Sequence, residues 1–195
     1  MSLPFSPSSE RNKRPIARAL LALLPQQARV LEIGSGTGQH AEFFLAQRPD
    51  LQWTATEMTD RLVDLERRLG GLAAPVRVQL LEIGSDAWPT GPFEAVFTAN
   101  TLHIMPWSRT PVLIEQAAAS LEFGGRLYCY GPFADAGRHN SDGNWRFDRS
   151  LRSEDPAMGI RDLTDLRRLG AAWSLPMIGV ISMPANNRLL VFERC

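Results

Sequence analysis

The densest chemistry in the sequence lies in the run Val30-Leu31-Glu32-Ile33-Gly34-Ser35-Gly36-Thr37-Gly38. An apolar stretch carrying one acid runs into glycines at alternate positions, the pattern of a buried strand ending in a tight loop. Glycine there permits positive φ and, lacking Cβ, lets backbone approach a ligand closely. The spacing is G-x-G-x-G with glutamine at position 39, not the G-x-G-x-x-G of a dinucleotide site, which disfavours a nicotinamide-dependent oxidoreductase. No Gly-Lys-Ser/Thr follows and Lys13 is the only lysine, which excludes a P-loop. A carboxylate at Glu32 repels a pyrophosphate and suits a ligand with a cationic amino or sulfonium group.

Glu32 together with Gly34, Ser35, Gly36, Thr37 and Gly38 resembles motif I of class I S-adenosylmethionine-dependent methyltransferases. The resemblance implies a loop that binds the methionine end and ribose of S-adenosylmethionine, with S-adenosylhomocysteine as product. Glu57 ends a predicted strand at 51–57, where a carboxylate can accept both ribose hydroxyls. The plainer alternative is an acid capping the helix at 61–69. Leu31-Glu32-Ile33-Gly34-Ser35 recurs as Leu81-Glu82-Ile83-Gly84-Ser85, without further alternating glycines, and reads as two strand ends sharing one chemistry. There Glu82 could accept the amino protons of an adenine while Ile83 packs on its ring; a loop acid is the alternative.

The acceptor side is read from the connection Asn100-Thr101-Leu102-His103-Ile104-Met105-Pro106-Trp107. Asn100 offers a donor and an acceptor to orient the substrate or the cofactor's amino acid. His103, with an ordinary pKa near ~6.5, could take a proton from a hydroxyl or amine, or simply donate to a backbone carbonyl. Trp107 could wall the pocket or stack on a ring. The segment 134–160 is polar, aromatic and without a clean period, so it reads as a lid or substrate segment that includes Asn144. Asn186 and Asn187 are its expected partners at the sheet edge, and Arg11-Asn12-Lys13-Arg14-Pro15-Ile16 is a further strip that could fold over the site. His40 and His139 share no spacing with His103, and no metal site is indicated.

These groups need a scaffold that brings strand ends together. Predicted strands at 29–33, 51–57, 76–81, 93–99 and 126–130 alternate with helices at 15–24, 38–47, 60–69 and 112–121. Pro15 is read in a first helical turn, Gly124-Gly125 as the stop before the fifth strand, and Gly170 as the end of a helix at 163–169. Segments 173–181 and 188–193 can pair as a hairpin across 183–187. The fold expected over 1–195 is one α/β domain, a Rossmann-like doubly wound seven-stranded sheet, mostly parallel with an antiparallel C-terminal strand.

Lys+Arg and Asp+Glu each total 21, giving zero net charge and no basic field for nucleic acid. Two cysteines imply no disulfide framework, and a cytoplasmic location is the expectation. The opening residues lack the apolar core of a signal peptide, and no apolar run approaches the roughly 18 residues of a membrane span.

Over almost the whole chain the runs RNKRPI, VLEIGSGTGQHAEFF, FTANTLHIMPW, YGPF, FDRSLRSEDPAMGIRD and MPANN are similar to the methyltransferase-like protein 26 group. This resemblance implies an S-adenosylmethionine-dependent methyltransferase, without naming its acceptor, and Glu57 stands where that group is expected to carry aspartate. A small-molecule acceptor is the leading expectation. A non-catalytic cofactor-binding module that regulates a protein partner is the alternative.

Overall fold

The computed structural model describes residues 3–195; Met1 and Ser2, read above for a leader, lie outside them. Seven strands form one sheet: β1 (Arg29–Ile33), β2 (Gln52–Glu57), β3 (Val76–Leu80), β4 (Phe93–Ala99), β5 (Leu121–Gly131), β8 (Met177–Met183) and β9 (Asn187–Glu193). Their order is β3-β2-β1-β4-β5-β9-β8, and β9 runs antiparallel to both neighbours. From β1 the chain first builds outward through β2 and β3, then returns to lay β4 on the other side of β1. That reversal is a topological switch point, where the loops leaving β1 and β4 part and open a crevice at the strand ends.

Alternation along the buried strands feeds two cores. Val30, Trp53, Phe97 and Tyr128 pack against α1 (Pro7–Leu20), α2 (Gln39–Leu45) and α3 (Thr59–Leu69). Leu31, Val96, Leu127, Leu190 and Phe192 meet α4 (Arg109–Ser120) and α6 (Leu163–Ala172) on the opposite face.

Several predicted boundaries move. The first helix starts at Pro7, not near Pro15: Ser6 Oγ accepts the Ser9 N–H at 3.2 Å and Pro7 occupies the first turn. Pro15 lies inside that helix, which keeps Ile16, Ala17 and Leu20 buried. Gly124 and Gly125 fall within β5, where the pairing with β4 shifts register.

The segment read as irregular contains α5 (Asp142–Glu154), capped by Ser141 Oγ accepting the Asn144 N–H at 3.1 Å. Its buried positions, Asn144, Asp148 and Leu151, keep helical spacing. Two of the three are polar, so hydrophobic periodicity could not reveal them. A short parallel pair, β6 (Phe133–Ala134) with β7 (Arg161–Asp162), brackets this helix.

Gly170 lies inside α6, where a Cβ would sit 2.3 Å from the Leu175 carbonyl oxygen and 3.0 Å from the Phe192 ring. Helix propensity alone favours Gly170→Ala by ~1 kcal/mol. The clash is with backbone, which cannot swing aside, and overpacking costs about 1–3 kcal/mol. Gly170→Ala is therefore expected to lower the unfolding free energy in urea titration; a stabilised variant would contradict this packing.

Candidate active site

A cavity of about 870 Å³ opens at the carboxyl ends of the parallel strands. The three loop glycines divide their work. A Cβ on Gly34 would meet Thr101 Oγ1 at 2.8 Å, and one on Gly38 would meet Leu65 Cδ1 at 2.8 Å, so both seat the loop against its neighbours. Gly36 lines the cavity with nothing within 4 Å of its missing Cβ. With φ +56° it holds a left-handed conformation that leaves its face open to a ligand. Gly34, Ser35 and Thr37 also line the cavity, whereas Gly38 does not.

Two carboxylates hold this loop from different sides. Glu57 is on the cavity wall, where its Oε2 accepts the Gly36 N–H at 2.6 Å and its Oε1 the Met58 N–H at 3.0 Å. A carboxylate has about four lone-pair sites, so acceptor capacity toward the cavity remains. Glu32 is not on that wall. Its Oε2 accepts both the Ser35 hydroxyl at 2.8 Å and the Trp53 indole N–H at 3.0 Å. Burial pushes it up to about 7, with Glu57 adding repulsion and the two hydrogen bonds opposing. The expected contact with a cationic ligand gives way to internal donors, which the closed loop brings to the carboxylate first.

Glu82 and Ile83 line the cavity beyond β3. The Glu82 N–H donates to Asp86 Oδ2 at 2.6 Å, and its largely exposed carboxylate stands 3.7 Å from Arg109. After β4, Asn100 takes φ +59°, a region asparagine tolerates, and donates its N–H to the Tyr130 carbonyl at 2.9 Å. This turn sends Asn100 and His103 to the cavity wall. His103 is buried, with the Phe147 ring edge-on at 5.3 Å. Burial and then the Arg161 charge push it down to about 4, so it is neutral at pH 7.

Trp107 does not line the cavity. Its N–H donates to the Ala157 carbonyl at 3.0 Å and its ring lies under the Arg161 guanidinium at 5.4 Å, so it clamps the loop from outside. Asn144 and Asn187 do line the cavity, joined by Phe147 of α5. Asn186 does not: its carbonyl accepts from Asn140 Nδ2 at 2.9 Å and Asn144 Nδ2 at 3.2 Å, pinning the hairpin turn to α5.

Sequence reading passed over His40 and Tyr130, which also line the cavity. His40 Nε2 hydrogen bonds Asn12 Oδ1 at 2.7 Å. Burial, then Lys13, push His40 down to about 4. Gln39 accepts the Ser6 N–H at 2.6 Å and donates to Glu10 at 3.0 Å. The first two residues of α2 thus fasten α1 across the loop. Their position directly after the glycines was the available signal.

A family model described as "Protein of unknown function (DUF938)" matches residues 3–194. The chain belongs to this family. Solved structures give this DUF938 chain its fold class. An O-methyltransferase family 2 protein from Planctomyces limnophilus DSM 3776, in complex with apigenin, matches with TM-score 0.81 at 16% identity, over 96% of this chain and 60% of its own. Human N-acetylserotonin methyltransferase in complex with SAM gives 0.79 at 15% identity, over 96% and 52%. CalO1, a methyltransferase in calicheamicin biosynthesis in its SAH-bound form, gives 0.79 at 16%, over 96% and 54%. The likeness shows the class I methyltransferase fold, and the DUF938 chain spans 52–60% of these neighbours' length. No helix among the described residues is long and apolar enough to cross a membrane.

Glu32 gives a pH test of the loop. Its carboxyl is held above its unfolded value of 4.5, so the native state keeps a proton that the unfolded chain releases. That contribution is full below pH 4.5 and is lost as pH rises through about 7. Glu32→Gln removes it while leaving His40 and His103 in place. The stability difference between variant and wild type should therefore shift toward the variant by roughly 3 kcal/mol between pH 4.5 and 8. Denaturant titrations across that range check it, and a pH-independent difference counts against the buried, raised carboxyl.

Proposed function

We propose that the protein is an S-adenosylmethionine-dependent methyltransferase acting on a small-molecule acceptor, in line with its similarity to the methyltransferase-like protein 26 group. The observation that carries this reading is Gly36: an open, Cβ-free face on a cavity flanked by Glu57 on one strand end and the neutral His103 on another. A volume of about 870 Å³ lies in the range of small-molecule sites and supports a cofactor beside a small acceptor.

The residues present fit the cofactor. Gly34, Ser35, Gly36 and Thr37 would hold its methionine end and ribose, Glu57 would accept the ribose hydroxyls, and Glu82 with Ile83 would take the adenine. When bound, S-adenosylmethionine supplies a methyl carbon on a sulfonium leaving group and departs as S-adenosylhomocysteine. Asn100 orients the amino-acid end or the acceptor, and Asn144 and Asn187 hydrogen bond the acceptor. His103, kept neutral by burial, takes the proton from an acceptor that arrives as a hydroxyl or amine. Alignment supplies most of the remaining barrier reduction, because the leaving group is already activated.

Calorimetry with S-adenosylhomocysteine tests the reading directly: micromolar-range binding is expected. Gly36→Val fills the open face at a backbone cost of about 1–2 kcal/mol, so it should fold and lose binding by at least ~100-fold. A folded wild type that binds neither S-adenosylmethionine nor S-adenosylhomocysteine sinks the proposal. With metabolite extract as acceptor source, time-dependent S-adenosylhomocysteine release is expected, and His103→Gln should slow it by roughly 100-fold or more. Binding with no turnover would instead mark a non-catalytic cofactor module.

A further inference from the structure

Arg161 is almost fully buried, yet its charge meets no carboxylate within ion-pair distance among the described residues. Its guanidinium is spent on backbone instead. Nε–H donates to the Leu102 carbonyl at 2.8 Å, and Nη2 donates to the carbonyls of Met105 and, at 3.3 Å, Ala157. Trp107 covers the outer face of the same group. Two backbone bonds extend the clamp: Gly159 N–H to the His103 carbonyl and Trp107 N–H to the Ala157 carbonyl, each at 3.0 Å. Residues 102, 103, 105 and 107 are all tied to the short stretch 157–161.

Burying an unpaired guanidinium is costly, and carbonyls at the end of a strand could be met by water or a smaller donor. The rigid planar fork is what reaches two carbonyls of one loop from a single fixed point. Those carbonyls flank His103 on both sides in sequence.

We infer that Arg161 is a positioning residue for methyl transfer, gripping the carbonyls of Leu102 and Met105 so that His103 is presented to the cavity against Phe147. This rests on the function proposed above, but its structural core does not. Arg161 is the charge acting on His103. The other ionisable groups around the stretch are engaged with one another: Asp148 accepts from Arg152 Nε at 2.9 Å and from the Ile160 N–H at 2.6 Å, and His139 stands 3.7 Å from it.

The test needs no acceptor. Imidazole ¹⁵N NMR titration follows His103 in the full chain, its signal assigned by single histidine replacement. In wild type it should stay neutral down to about pH 4. Arg161→Gln should raise its midpoint by about one pH unit or more, toward the ordinary histidine range, and weaken the ring-current shift from Phe147. Affinity for S-adenosylhomocysteine should stay within about threefold. Arg161→Lys keeps the charge but cannot span both carbonyls, so its midpoint should rise too. An unchanged midpoint in Arg161→Lys marks a purely electrostatic effect and overturns the inference, as does no change in Arg161→Gln. Should neither fold, Trp107→Leu, at a partly exposed site, should move the same signals in the same direction by a smaller amount; unmoved signals overturn it. Failure of wild type to bind S-adenosylhomocysteine would remove the proposed function while leaving the His103 titration to decide the clamp.

Discussion

The site rests on a carboxylate that never reaches it. Glu32, near the end of β1, takes one hydrogen bond from Ser35 in the glycine loop and one from Trp53 in the adjacent strand, all within the interior. These bonds fix where the loop leaves the sheet, and the Gly36 N–H then finds Glu57 at 2.6 Å. A buried carboxyl with two donors is more costly to leave half satisfied than to complete. The pair of hydrogen bonds therefore selects one loop geometry, and in that geometry Gly36 faces the cavity.

Around this fixed loop, polar contacts add direction to the apolar packing that seats the remaining walls. Gln39 and His40 hold α1 over the loop, Asn144 and Asn140 hold the hairpin turn, and Arg161 holds the connection after β4. Apolar packing has little orientation of its own, whereas each hydrogen bond specifies a direction. Neutral polar groups such as His40, Asn100, His103, Asn144 and Asn187 share the cavity wall with the carboxylates of Glu57 and Glu82 and with apolar side chains such as Ile83 and Phe147. His40 and His103 are both pushed down to about 4 and contribute shape and acceptor lone pairs without charge at pH 7.

Much of the fold was legible because buried strands and amphipathic helices announce themselves by period. Strands β1 and β4 fall at the residues their apolar runs predict, and β2 ends at Glu57. The errors share a cause. α5 shows no hydrophobic period since Asn144 and Asp148 take its buried positions, and Gly170, whose type suggests a stop, lies inside α6 where contact with Leu175 and Phe192 leaves no room for a Cβ. Within the site, Gly36, Glu57, Glu82, Ile83, Asn100, His103, Asn144 and Asn187 lie on the cavity wall, while Glu32, Gly38, Trp107 and Asn186 stand behind it. Residue type and spacing identify which segments converge but not which of two neighbouring side chains turns inward.

The sequence by itself determined the parts of the crevice: a glycine loop after a buried strand, acids at two further strand ends, and an alternation of strands with helices. Local periodicity and turn chemistry suffice for that, since they act over a few residues. Only the tertiary structure decided the roles. Glu32 became an internal tie, His40 and Tyr130 joined the wall, and Arg161 came to grip a loop 56 and 59 residues away along the chain. Such assignments depend on which distant donor reaches a buried acceptor first, and no local pattern encodes that distance.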